Sequence, residues 1–174
     1  MLGYVGMLFA LCAQDAHTVA HPRFEGWSSC KPGSWVGVRK ETFARTGRTV
    51  WDITRRKRSG DAAAVTLDVE TVKQNGRTGR RASKSTERIP ATYTTHLTHE
   101  DAVVKTGVET LELAGRRLRC RWTEEAYPNG ADARWYVRKT WRAAEIPGGI
   151  ARTEITLAGR PDLAEVVTGW RREL

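Results

Sequence analysis

Few side chains in this 174-residue chain carry chemistry on their own. His96, His99 and Glu100 form the one cluster of ligand-like composition, since two imidazoles three apart on a helix point to one side and can hold a metal ion. They fall in a Thr-rich loop, where solvation alone accounts for them, so neither a metal nor another cofactor is expected. His17 and His21 lie in a short linker. No Gly-rich phosphate loop, no Gly-x-Ser-x-Gly elbow and no Cys-x-x-Cys pair occurs. Carboxylates such as Asp68, Glu70, Glu124 and Glu125 alternate with apolar residues, which sends most of them outward to meet arginines of neighbouring strands. The expectation is a protein that is not an enzyme.

The cysteines bear on compartment. Cys12 lies in Met1 to Ala13, a stretch without a charged side chain that is too short to cross a bilayer as a helix but fits the apolar region of a secretory leader. No basic residue precedes it. Leu11, directly before Cys12, departs from the small residues that a lipidation site wants. This reading places the protein in the periplasm or cell envelope, with no transmembrane span. Two thiols then remain, Cys30 and Cys120. In an oxidising compartment they form a possible disulfide, worth roughly 4 kcal/mol on the loop-entropy account; two buried free thiols are the alternative.

Seven tryptophans and a net charge of +9 set the remaining chemistry. Tryptophan in excess suits a small β core or a surface that grips something flat or greasy. The positive charge attracts anionic partners whatever the fold, although it is spread along the chain and peaks only at Arg55 to Arg58 and Arg77 to Lys84. Trp51, Trp122, Trp135 and Trp141 share the parity of the aliphatic residues around them and face away from the charges. That separation argues against a nucleic-acid surface, which interleaves the two.

Alternation is what positions these residues. Leu118-Arg119-Cys120-Arg121-Trp122 and Val65-Thr66-Leu67-Asp68-Val69-Glu70 put apolar side chains at every second place, the mark of strands with one dry and one wet face. Strands are expected over 35–44, 48–58, 62–73, 80–89, 107–113, 117–127, 133–142 and 150–157, with a last one over 165–171. Turns fall at Thr46-Gly47, Ser59-Gly60-Asp61, Asn75-Gly76, Ala114-Gly115, Pro128-Asn129-Gly130, Pro147-Gly148-Gly149 and Arg160-Pro161-Asp162. Pro90 to Lys105 is a long crossing loop, with room for one short helix near His99 to Val104.

The fold class is therefore mainly β: a single antiparallel meander sheet strongly curved into a half-open barrel, with a short N-terminal helix or cap and one long mid-chain loop. Residues 1–13 are an apolar leader, 14–34 a linker and cap, and 35–174 the curved β domain. Trp51, Leu67, Val69, Leu111, Leu113, Trp122, Trp135, Val137 and Trp141 are expected on the concave face, with Ile53, Val65, Leu118 and Cys120. There they line a cavity or fill it as core. The functional expectation is a binding protein of the cell envelope that holds a lipid or other lipophilic small molecule. Its alternatives are an interaction module with a filled core and a basic-surface binder of an anionic polymer.

Three segments carry a resemblance: Lys31-Pro32-Gly33-Ser34-Trp35-Val36-Gly37-Val38-Arg39-Lys40-Glu41-Thr42, Glu109 to Cys120, and Glu145-Ile146-Pro147-Gly148-Gly149-Ile150-Ala151-Arg152-Thr153-Glu154. They resemble segments of exported bacterial proteins, and their order and spacing are similar to the half-open β-barrels of the LolA/LolB lipoprotein-carrier superfamily. The resemblance implies a bent antiparallel sheet around a greasy hollow that accepts acyl chains. The chain departs from those carriers in lacking a run of plug helices and in its basicity, and no ligand-contact residue of the family has a counterpart in it.

Overall fold

The computed structural model describes residues 17–75, 79–95, 103–129 and 134–173. In chain order the elements are β1 (His17–Ala20), α1 (Pro22–Ser28), β2 (Trp35–Ala44), β3 (Gly47–Gly60), β4 (Ala64–Asn75), β5 (Gly79–Pro90), β6 (Thr92–Thr95), β7 (Val103–Leu113), β8 (Arg116–Asn129), β9 (Arg134–Arg142), β10 (Ile150–Leu157) and β11 (Arg160–Arg171). The protein is mainly β. Nine strands form one antiparallel sheet in the order β5-β4-β3-β2-β11-β10-β9-β8-β7. The sheet is not closed, which fits a half-open barrel.

Two meanders, β2–β5 and β7–β11, are joined where the first long strand pairs with the last, along β2 and β11. The edges are thus β5 and β7, consecutive long strands of the chain. Because every neighbouring pair is antiparallel, the first and ninth strands of the row run parallel, and linking them demands a crossover of about a dozen residues. Residues 91–95 lie in the predicted mid-chain loop, and there β6 pairs with β1 and so ties the N-terminal linker to this stretch. The leader with Cys12, the His96–His99 cluster and the tips at Gly76 and Gly130 lie outside the described residues.

Turn chemistry repeats itself. Ala114 and Gly115 sit at φ 49° and 73°, and Ala158 and Gly159 at 51° and 73°, so both Ala-Gly pairs meet the type I′ requirement of positive φ at both central positions. The second pair replaces the turn expected at Arg160-Pro161-Asp162. Pro161 instead lies inside β11, next to a register shift between Ile155 and Thr156 of β10. Irregular pairing of this kind is where a sheet tolerates a residue with no N–H.

The register decides which side chains share a face. Trp141 pairs with Arg152, Arg152 with Val166, Val166 with Arg39, and Arg39 with Asp52. The adjacent rung runs Thr140–Thr153–Glu165–Lys40–Trp51, so Trp51 and Trp141 occupy opposite faces. Ile53, Leu67, Val69 and Val38 go with Trp51; Leu111, Leu113, Leu118, Cys120, Trp122, Trp135 and Val137 go with Trp141. Yet Leu67, Leu113, Leu118 and Trp141 belong to one buried cluster. Strands twist by roughly 20–25° at each step, and eight steps accumulate on the order of 180°, enough to turn the sheet over between its edges. The buried side therefore changes face across the sheet, and the single concave face expected from alternation is corrected to two half-faces, one per meander.

Candidate ligand cleft

On the β2–β5 meander the buried face is covered by α1. His21 caps the helix, its Nδ1 accepting from the Arg23 N–H at 3.2 Å, with Pro22 in the first turn, where a missing N–H costs nothing. The other end is held from the sheet. Lys57 is 5% exposed, and its Nζ donates to the carbonyls of Trp27 at 2.8 Å, Ser28 at 3.2 Å and Cys30 at 2.5 Å. These acceptors lie at the end of the helix, where carbonyls run short of intrahelical donors; that of Trp27 also accepts from the Cys30 N–H at 3.1 Å. Burial lowers the Lys57 pKa, and the three carbonyls use all three of its hydrogens.

Beside this anchor, Arg23 grips Glu87 with both nitrogens, at 2.7 and 3.1 Å, and Arg55 approaches the same carboxylate at 3.5 Å. Burial pushes the Glu87 pKa up, but the hydrogen bond and charge of Arg23, helped by Arg55, outweigh it and hold the group below its ordinary value. Arg55 is itself lowered, by burial first and by the charge of Arg23 second. Its Nε is a buried donor without a hydrogen bond.

The β7–β11 meander closes its buried face with its own aromatics. Lys139 Nζ lies 4.4 Å from the Trp122 ring centroid and 4.7 Å from that of Trp141, and the Arg152 guanidinium carbon stands 5.1 Å from the Trp141 centroid. Trp141 Nε1 donates to Glu109 at 2.7 Å, and that carboxylate lies 4.0 Å from Lys139. The indoles there are already occupied by the protein's own cations.

The cleft lies between the two regions, walled by α1 and the Pro147-Gly148 turn and floored by β2, β10 and β11. The turn comes close because Gly26 faces it without a side chain; a Cβ there would stand 2.4 Å from the Gly148 carbonyl carbon. The cleft has a volume of about 200 Å³. Val36, Val38, Ala151 and Val167 make an apolar floor, and Arg23, Arg55, Arg152 and Glu165 line it, with Glu87 beside Arg23 and Arg55 and Glu154 paired to Arg152. Whole drug-sized ligands occupy roughly 300–1,000 Å³. The space suits one end of an apolar chain with an anionic group beside it.

None of the nine residues expected to bind a ligand lines this cleft. Leu67, Leu113 and Trp141 are buried core; Trp51, Val69, Leu111, Trp122 and Val137 are half-buried; Trp135, on the same face as Trp141, is 48% exposed. The cleft residues had a sequence signal in Val36-Gly37-Val38 and Val166-Val167, where two strands pair at the seam. Cys30 and Cys120 are unbonded. Cys30 Sγ donates to the Gly26 carbonyl at 3.3 Å and Cys120 Sγ to that of Leu118 at 3.7 Å, so each thiol is satisfied locally and, of the two alternatives, the structure holds two buried thiols. Burial pushes the Cys120 thiol up, which keeps it protonated. Among the described residues no three His, Cys, Asp or Glu side chains converge, and no helix is long and apolar enough to cross a membrane.

No protein family's profile matches the chain, and no curated protein matches it. Solved structures do. An exported protein with a YmcC-like fold from Bacteroides fragilis NCTC 9343 aligns over 82% of this chain and 97% of its own, at TM-score 0.47 and 8% identity. A lipoprotein from Parabacteroides distasonis ATCC 8503 aligns over 81% and 96%, at TM-score 0.46 and 7% identity. Neither is described as a LolA or LolB protein, and neither description gives a ligand.

Proposed function

We propose that this chain is a non-enzymatic binding protein of the cell envelope whose cleft takes the end of a lipid or acyl chain, with the anionic group of that molecule beside Arg55. The observation that carries the reading is the apolar floor of Val36, Val38 and Val167 beside the buried guanidinium of Arg55. Apolar area removed from water contributes about 25 cal/mol per Å². A carboxylate or phosphate beside Arg55 meets a guanidinium whose Nε stands 3.5 Å from Glu87 without a hydrogen bond. The family resemblance to lipoprotein carriers is of a piece with this reading, at smaller scale: a cleft of about 200 Å³ takes part of one chain, not a bundle of them.

Native mass spectrometry after gentle purification, followed by titration with a fluorescent fatty acid, tests it. Wild-type protein is expected to take up the probe, Val38→Trp to lose uptake by filling the floor, and Trp122→Phe to retain it. Wild-type protein that carries no lipid and takes up no probe overturns the proposal. That result favours the second reading, an interaction module with a filled interior, to which the small cleft volume also lends weight.

A further inference from the structure

Several exposed arginines on this sheet face carboxylates: Arg39 faces Asp52, Arg48 faces Glu41, Arg58 faces Asp68, and Arg138 faces Glu125. Three on β8 and β9 do not. Arg121 sits directly opposite Arg142 in the β8–β9 ladder, and Arg119 follows two residues away on the same face. Among the described residues none of the three side chains has an ion pair or hydrogen bond. Like charges placed opposite one another weaken a ladder; Lys73 opposite Arg81 on β4 and β5 is a second such rung, but among the described residues it has no third and fourth guanidinium gathered beside it in one groove.

Arg172 joins them from the C-terminal segment. Its guanidinium donates to the Ala144 carbonyl and, at 3.0 Å, to Ser29 Oγ, while its Nε is buried without a hydrogen bond. The four guanidiniums line one groove of about 670 Å³ alongside α1, whose carboxylates are Glu25 and Glu145, four positive charges to two negative. Planar forks with unused donors, converging from two strands and a terminal segment, match the oxygens of a phosphoryl group, which accept from several directions at once.

We propose that this groove binds a phosphate-bearing group through Arg119, Arg121, Arg142 and Arg172. The site is separate from the cleft and stands whatever the cleft takes. The phosphoryl group belongs either to a lipid headgroup or to a soluble molecule, and two probes tell these apart.

Full-length protein is titrated with inorganic pyrophosphate by calorimetry. It is also sedimented with phosphatidylcholine vesicles containing about one third phosphatidylglycerol, both at an ionic strength of about 0.15 M. Arg121→Glu with Arg142→Glu is compared with Arg81→Glu with Lys84→Glu on β5, an equal change of charge on another exposed surface. Circular dichroism checks that both variants are folded. Binding of either probe is expected to fall about ten-fold or more in the groove variant and about two-fold or less in the control. Pyrophosphate binding without vesicle binding assigns a soluble ligand; vesicle binding without pyrophosphate binding assigns a headgroup. Equal losses in both variants, or no binding of either probe by wild-type protein, overturns the proposal.

Discussion

The two meanders bury their dry faces by different means. On β2–β5 the lid is a separate element: α1 lies across β4 and β5, and a lysine rising from β3 holds its carbonyl end. On β7–β9 the lid is the sheet's own side chains, with Lys139 wedged against Trp122 and Trp141. A lid held by polar bonds to a short helix leaves seams, and the cleft opens at such a seam, beside α1. An aromatic stack leaves none. Trp122 and Trp141 thus fill their own half of the molecule, while Trp27, on α1, lines the cleft.

The comparison breaks most visibly at Trp141, which is 3% exposed. Trp141→Ala is expected to cost about 3–5 kcal/mol, read as a lowered midpoint in urea unfolding. A loss under about 0.5 kcal/mol is what a solvent-facing indole gives, and it would remove the filled-half argument. Next comes the anchor of the other half. Lys57→Met leaves three helix-terminal carbonyls without their donor, an expected loss of about 1–3 kcal/mol. Hydrogen exchange should quicken in α1 before it does in β8 or β9.

The Arg23–Glu87–Arg55 contact adds a pH signature to the helix-covered half. Because the folded Glu87 pKa is depressed, its stabilisation is fully present above the unfolded carboxylate value of 4.5 and is lost as pH falls through the folded value. Melting temperature should drop below pH 4.5, and Glu87→Gln should lower it at neutral pH while flattening that acid slope. An unchanged slope would place the acid sensitivity in other carboxylates. The smallest effect concerns the arginine groove. Arg121→Glu turns a like-charged rung into an ion pair and should stabilise by about 0.2–1 kcal/mol, visible as a raised melting temperature; a lowered one would mean that Arg121 has a structural partner.

Strand content was legible because alternation is local: β2 and β10 run over the residues that their patterns predict, 35–44 and 150–157. The Ala158-Gly159 turn carries the same dipeptide as Ala114-Gly115 but stands two residues before Pro161, and proline is the louder turn signal although here it sits in a strand. The seam was not legible. Pairing of β2 with β11 joins residues more than a hundred positions apart, and no short-range pattern encodes it. For the same reason the cleft was missed. Parity assigns each side chain to a face of its own strand, whereas the sheet's accumulated twist decides which face is buried. Lys57 was hidden too, since a lysine in the basic run Arg55 to Arg58 reads as solvated until a helix end is found above it.

Everything about the two half-faces rests on the register between β2 and β11. A slip of one residue there would bring Trp51 and Trp141 onto one face and restore a single greasy hollow. Engineered cysteines at the seam test this directly. Arg39→Cys with Val166→Cys places the thiols on one rung, within reach of a disulfide, and the folded protein is predicted to form that bond under mild oxidation, mapped by mass spectrometry. Lys40→Cys with Val166→Cys should remain reduced. A bond in the second pair and none in the first would contradict the account.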